Sequence, residues 1–219
     1  MQNYSGSVPA VQRTIAVLEH LRSAEMGPTL TELSQVLRLN RSSLLAILNT
    51  LRTAGFVTRD EGDRYHLGPS LLAYAPNVAR ANGPLEAFEQ PAQLLVDALG
   101  ETVALTRLTP QGAVCMAVKT GYYSVRAVME RGNVRPVAQS AGGLAVLAAL
   151  PEDEAAAVIG ASGSPAHELR GRIEDVRAAG WAWIEDAQEL GQVGLAAPVC
   201  DFDGHPVAAI ELLGPSYRI

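Results

Sequence analysis

LNRSSLLAILNTLRTAGFV, residues Leu39–Val57, is the stretch on which the fold turns. At 100° per residue, Leu44, Ile47, Leu48, Leu51 and Ala54 fall on one side and are expected to face a core. Ser42, Leu45, Ala46, Asn49 and Thr53 gather on the other side, with Arg41 and Arg52 at its flank. Asn40 suits the N-cap of such a helix, and Gly55 its termination.

Upstream, Val11–Leu21 has helical spacing, Pro9 suits a first turn, and Met26-Gly27-Pro28 closes the element. Thr29-Leu-Thr-Glu32 is a capping-box pattern opening a second helix, with Leu30, Leu33, Val36 and Leu37 on its core side. Arg38-Leu39 makes the turn into the third helix. Downstream, Phe56–Arg59 and Arg64–Leu67 read as strands joined by Asp60-Glu61-Gly62-Asp63. Helix, helix, turn, helix, hairpin is a winged helix-turn-helix, over residues 1–68.

A small polar outer face is what a groove-reading helix needs. Asn49 can read adenine through two hydrogen bonds, and Leu45 and Ala46 can meet thymine methyl groups. Arg41, Ser42 and Ser43 stand at the helix start, where amides and the helix dipole favour a phosphate. Arg38, Arg52, Arg59 and Arg64 are candidate backbone contacts from the turn, the helix flank and the wing. The competing reading is a packed helix with Leu45 covered by another domain.

The chain has 219 residues, 48% of them hydrophobic, and a formal net charge of −6. Its charge is unevenly spread. Residues 1–70 carry seven arginines against six acids, and the remainder ten basic against seventeen acidic groups. The acidic balance therefore lies outside the candidate DNA-reading segment. No apolar run approaches a membrane span, and the first residues lack a secretory pattern, so a cytoplasmic protein with no membrane partner is expected. Cys115 and Cys200 stand far apart without a partner motif, which argues against disulfides and zinc.

After Gly68-Pro69, a linker helix is expected over Ser70–Ala81, within a connecting segment of residues 69–83. A second amphipathic helix runs to Leu99 and opens the domain of residues 84–219. Strands are expected at Thr102–Leu108, Ala113–Thr120, Ser124–Met129, Val134–Val137, Ala182–Ile184, Leu195–Cys200 and Val207–Leu213. Helices are expected at Gly142–Leu150, from Glu152, and over Ala166–Ala179. Strands interleaved with helices predict an α+β domain.

Five stretches in this order carry a family resemblance: VQRTIAVLEHL, LTELSQVLRLNRSSLLAILNTLRTAGFVTRDEGDRYHLGPSLL, GETVALTRL, RPVAQSAGGLAVLAALPEDE and GLAAPVCDFDGHPVAAIELLGPSYR. Together they resemble the IclR family of bacterial transcription regulators over nearly the whole chain. The resemblance implies a DNA-binding winged helix-turn-helix domain, a linker helix, and a GAF-like domain that binds a small organic effector. It also implies a homodimer formed through the DNA-binding domains, often paired into a tetramer through the effector domains. The implied function is a ligand-responsive regulator of a double-stranded DNA operator, most often a repressor. A small-molecule-binding protein that has lost specific DNA binding is the alternative.

The resemblance places the effector pocket around the helix start Ser140-Ala141-Gly142-Gly143, whose amides suit a carboxylate. The other pocket positions map to Ser124 and Ala127 on a strand, Ile184, Gly194, and Glu211 and Leu213 on the last strand. Departures are informative. Leu45 and Ala46 replace the His and Arg frequent on the reading helix, while Leu144 and Ala138 replace a usual Lys and a frequent His. Ile184, Gly194 and Glu211 stand where members binding small organic acids tend to have Asp, Cys and Ser. These exchanges predict a larger, apolar or cationic effector, with Glu211 accepting from a hydroxyl or amine. The competing reading has Glu211 facing solvent or paired with an arginine. The family usually continues into a final helix where this sequence ends at Gly214–Ile219, which predicts a more open pocket. The connection Gly160–Pro165 is shorter than usual.

No nucleophile, metal-ligand spacing or phosphate loop accompanies Glu130, Glu185, Asp186 and Glu211, so neither catalysis nor a cofactor is expected. His20, His66, His167 and His205 lie in separate elements. Cys115 reads as core and Cys200 as an exposed thiol. Trp181 and Trp183 flank Ala182; one is expected to face the core and the other the opposite side, where it can line the effector cavity.

Overall fold

The computed structural model describes residues 8–80, 83–161, 166–185 and 191–219. The chain divides into two compact units, residues 1–81 and 82–219.

In the first unit, α1 (Pro9–Ser23), α2 (Leu30–Leu37) and α3 (Arg41–Thr53) precede an antiparallel hairpin of β1 (Val57–Arg59) and β2 (Tyr65–Leu67). The local signals act as expected. Thr29 accepts from the Glu32 amide while the Glu32 carboxylate takes the Thr29 amide, completing the capping box. The Thr29 amide, and then the Thr29 hydroxyl, donate to that carboxylate and hold it below its usual range. Arg38 ends α2 in the left-handed region at φ 52°, and Ser34 Oγ donates to the Leu39 carbonyl at 2.7 Å, fixing the turn. Asn40 caps α3 by accepting from the Ser43 amide. Val17, Leu21, Leu33, Leu44, Leu48, Leu51, Val57 and Tyr65 form the core. Ala54 is an exception to the helical wheel: it is the C-cap and lies exposed.

The connection departs from one continuous helix. A 3-10 turn over Pro69–Tyr74 runs into α4 (Ala75–Arg80), and residues 81–82 lie outside the described set. Pro76 has no N–H with which to carry a ladder forward from the preceding turn, so the helix restarts at Ala75.

The second unit opens with α5 (Pro84–Leu99) and is built on a six-stranded antiparallel sheet in the order β5-β4-β3-β8-β7-β6. Its strands are β3 (Thr102–Thr109), β4 (Gly112–Lys119), β5 (Val134–Arg135), β6 (Ala182–Glu185), β7 (Gln192–Cys200) and β8 (Pro206–Pro215). On one face, Phe88, Ala92 and Val96 of α5 pack on Val103, Leu105 and Ala208. The other face is covered by α6 (Ala141–Ala149), α7 (Glu152–Ala161) and α8 (Ala166–Ala179) around Leu144, Leu147, Leu169 and Ile173. Every residue of α6 but the last is buried, so its sequence shows little amphipathic contrast. The short connection expected at 160–165 falls largely outside the described residues.

Two strand expectations are corrected. Ser124–Met129 forms no strand, although Ala127 and Met129 are buried while Val125 and Val128 are exposed in strand-like alternation. Its carbonyls go to side chains: Thr102 Oγ1 donates to Ala127 and Arg218 Nη2 to Val125. The outer edge of β4 is paired instead with Val134–Arg135, and only for those two residues, because Pro136 follows. A 3-10 turn at Val137–Gln139 then leads into α6. Trp181 and Trp183 do not divide between two sides either. Residues two apart on a strand share a face, and both rings are exposed, 6.5 Å apart and edge-to-face.

Candidate nucleic-acid interface and effector site

The outward face of α3 holds Ser42, Leu45, Ala46, Asn49, Arg52 and Thr53, all exposed, with Leu45 at 39%. Thr50 and Thr53 donate their hydroxyls back to the Ala46 and Asn49 carbonyls, at 2.9 and 3.0 Å. Among the described residues, the side chains of Asn49, Arg38 and Arg52 have no hydrogen-bond or ion-pair partner. Asn49 and Arg52 on this face, and Arg38 in the turn before it, are thus free for base edges and phosphates.

The other candidates are partly committed. Asn40 Oδ1 accepts from both the Ser43 amide and the Ser42 hydroxyl, at 2.8 and 3.0 Å, so the start of α3 is already capped from within. Arg41 donates to Thr31 Oγ1 across the turn. Arg59 pairs with Asp63 at 2.7 Å and lies over the Tyr65 ring. Arg64 is turned inward: it donates to the Gly27 carbonyl at 2.8 Å and lies 3.6 Å from Glu32. The wing turn itself hangs on Asp60, whose carboxylate accepts from the Gly62 and Arg64 amides and meets His66 Nε2 at 2.9 Å. The Arg64 amide and His66 hold that carboxyl below its ordinary range.

In the second unit, strand register gathers the effector candidates. Leu213 on β8 pairs with Gly194 on β7, and Gly194 with Ile184 on β6. One row along, Glu211 stands between Ala104 and Ala196. Ala127 joins the same side, buried in a cluster with Ala104, Cys115, Met129 and Leu213. Ala141, Gly142 and Gly143 begin α6, with Ser140 Oγ accepting the Gly143 amide. A Cβ on Gly142 would lie 2.6 Å from Thr106 Cβ and 2.9 Å from Glu211 Oε2, so the helix start presses directly on the carboxylate. Ser124 stands apart, exposed in the irregular segment.

Glu211 is fully buried and paired with an arginine, as the competing reading had it. Arg135 Nη2 donates to Oε2 at 2.7 Å and Thr106 Oγ1 donates to the same oxygen at 2.9 Å. Neither Arg135 nor Thr106 was visible as a site residue in the sequence. The available hint was a lone arginine directly before Pro136, but nothing local reveals a partner 76 residues away. Burial, then the Glu211 charge, raises the Cys115 thiol to about 11, so it stays protonated. Residues 215–219 turn back on the domain instead of leaving its edge open: Arg218 engages the buried Glu101, the Val125 carbonyl and the Tyr123 ring. A small apolar cleft between α5 and the opposite face of the sheet, near Leu85, Leu105 and Met116, offers few polar groups.

Other titratable groups do not converge. Glu130 and Glu185 are exposed, and Asp186 is outside the described residues. Among the described residues no three His, Cys, Asp or Glu side chains form a metal-sized group. None of the described helices is long and apolar enough to cross a membrane.

Comparisons with known proteins match this architecture. Residues 10–61 match the IclR helix-turn-helix domain, and residues 85–219 the bacterial transcriptional regulator IclR C-terminal domain. The glycerol operon regulatory protein of Streptomyces griseus is 29% identical, the alignment covering 97% of this chain and 87% of that protein. The transcriptional repressor IclR of Escherichia coli K12 is 27% identical over 98% of this chain and 83% of its own length. The crystal structure of an IclR transcriptional regulator from Alicyclobacillus acidocaldarius superposes with a TM-score of 0.80 at 25% identity, covering 98% and 90% of the two chains.

Proposed function

The chain belongs to the IclR family of bacterial transcriptional regulators, and from that premise we propose that it represses transcription by reading operator DNA through α3. It is a DNA-binding regulator with a separate effector-binding domain. The observation that carries the reading is the free, exposed set Asn49, Arg52 and Arg38 around a small apolar patch, on a unit whose charge is not acidic. Asn49 reads adenine, Leu45 and Ala46 meet thymine methyl groups, and Arg38 and Arg52 hold phosphates. Arg41, Ser42, Ser43 and Arg59 are secondary, because each already has an internal partner. Arg64 is secondary too, because it already holds the Gly27 carbonyl and lies beside Glu32. Repression is supported by the name of the Escherichia coli relative.

The active species is a homodimer, or a tetramer of paired dimers, acting in the cytoplasm. Val8, which caps α1, and Val11 and Ile15 on it are exposed apolar residues, and Leu72, Tyr74 and Val78 are exposed in the connection, which supports association of two copies. A dimer then reads two half-sites on one face of the duplex. The effector binds the second unit where Ala127, Ile184, Gly194, Glu211 and Leu213 lie toward Gly142 at the start of α6. Ser124, Ala141 and Gly143 border it. Because Arg135 compensates Glu211, a cationic effector is not required. Binding switches the regulator only by favouring one spacing of the DNA-binding units over another.

Titration of the full-length protein with its own upstream DNA tests the reading. Specific binding that weakens steeply with salt, and is altered by Asn49→Ala, is expected. No site-specific complex at low salt would favour a small-molecule-binding protein that has lost its operator.

A further inference from the structure

Two buried polar atoms beneath α6 have no hydrogen-bond partner among the described residues: Glu211 Oε1 and Arg135 Nη1. The pair is joined through Nη2 and Oε2 alone, although guanidinium and carboxylate commonly pair through two parallel bonds. An acceptor and a donor are thus left unmet in a site where Glu211 is fully buried and Arg135 is 7% exposed. Native interiors rarely leave such atoms unmatched, and a ligand is one way of meeting them.

The surroundings favour entry from one side. Glu211 is flanked by Ala104 and Ala196, and the α6 side is closed by Gly142 and Thr106. Over the remaining side runs the irregular segment 121–131, which packs Ala127 and Met129 on Ala104, Cys115 and Leu213 and has no sheet pairing of its own. It is held by Thr102 on the Ala127 carbonyl, by the Gly132 amide on the Cys115 carbonyl and by Arg218 on the Val125 carbonyl. Such a cover can lift without breaking a strand ladder.

Resting on the effector-site reading above, we propose that the effector presents an uncharged donor–acceptor pair, a carboxamide or lactam, to Arg135 and Glu211. Its carbonyl accepts from Arg135 Nη1 and its N–H donates to Glu211 Oε1. A carboxylate satisfies the guanidinium but sets its charge against Glu211, and an ammonium meets the reverse conflict. The charges of the site are already balanced internally, so a neutral group with both functions fits it best.

Benzamide, benzoate and benzylamine, which share one ring, test this on the full-length protein by amide NMR and thermal shift at millimolar concentration. Benzamide is expected to move the Ala127, Gly142 and Leu213 amides and to bind about tenfold better than either charged probe. In Glu211→Gln the preference inverts toward benzoate, because Arg135 is left without a carboxylate. If that variant does not fold, Arg135→Met/Glu211→Met is expected to abolish the benzamide preference. Benzoate or benzylamine matching benzamide at those amides in the wild type overturns the ligand class while leaving the effector site in place. No movement of those amides with any probe removes the site as well.

Discussion

Replacing Arg135 by Met tests whether the buried pair acts as a unit. The substitution keeps an apolar stem but leaves Glu211, fully buried, with only the Thr106 hydroxyl as a donor among the described residues. Removing one partner of a buried pair costs about 3–5 kcal/mol, because the remaining charge is left uncompensated. With a urea slope of about 2 kcal/mol per molar, the midpoint falls by roughly 2 M. The double variant Arg135→Met/Glu211→Met removes both charges and is expected to recover most of that loss, since apolar replacement of a buried pair is often close to neutral. The readout is built in: both tryptophans, Trp181 and Trp183, lie on or beside β6 of the second unit, so their fluorescence follows that unit's unfolding. Losses from the two single variants that simply add in the double variant would refute the coupling.

Asn49→Ala is expected to cost about 1–3 kcal/mol of discrimination at one base pair, read by competition between operator variants. Arg52→Gln should instead weaken all sequences alike and lower the salt slope by about 1. Thr29→Ala removes the cap of α2 and should destabilise the first unit by about 1 kcal/mol in thermal unfolding. Asp60 holds the wing, and its folded carboxyl lies below the ordinary value. Its stabilising effect is therefore present above the unfolded pKa and lost as pH falls through the depressed one. Protection of the Gly62 and Arg64 amides from hydrogen exchange, measured against the intrinsic rate at each pH, should fall in acid, and Asp60→Asn should remove that pH dependence.

The first unit was the more legible because its signals are local. Thr29 and Glu32, Asn40 and Ser43, and the core-facing leucines of α3 all act within a few residues, and each bond is where the spacing puts it. The second unit depends on distant partners. Ala127 and Met129 are buried in strand-like alternation without forming the expected strand, because alternation says nothing about whether a sheet edge is available. Glu211 stands out in the sequence as a carboxylate on an apolar strand, yet its partners on β3 and β5 are 105 and 76 residues away. Arg64 illustrates the same limit at the wing: its bond to the Gly27 carbonyl spans 37 residues, and nothing local announces it.

The back-bonded threonines of α3 have a consequence for how binding is driven. With the Thr50 and Thr53 hydroxyls spent on the helix backbone, what they offer outward beside Leu45 and Ala46 is carbon. Docking on thymine methyl groups then releases water from hydrocarbon, and the complex should form with a negative heat-capacity change. Exchanging thymidine for deoxyuridine deletes only the C5 methyl group, so each sensitive position in an operator would mark where a helix turn rests.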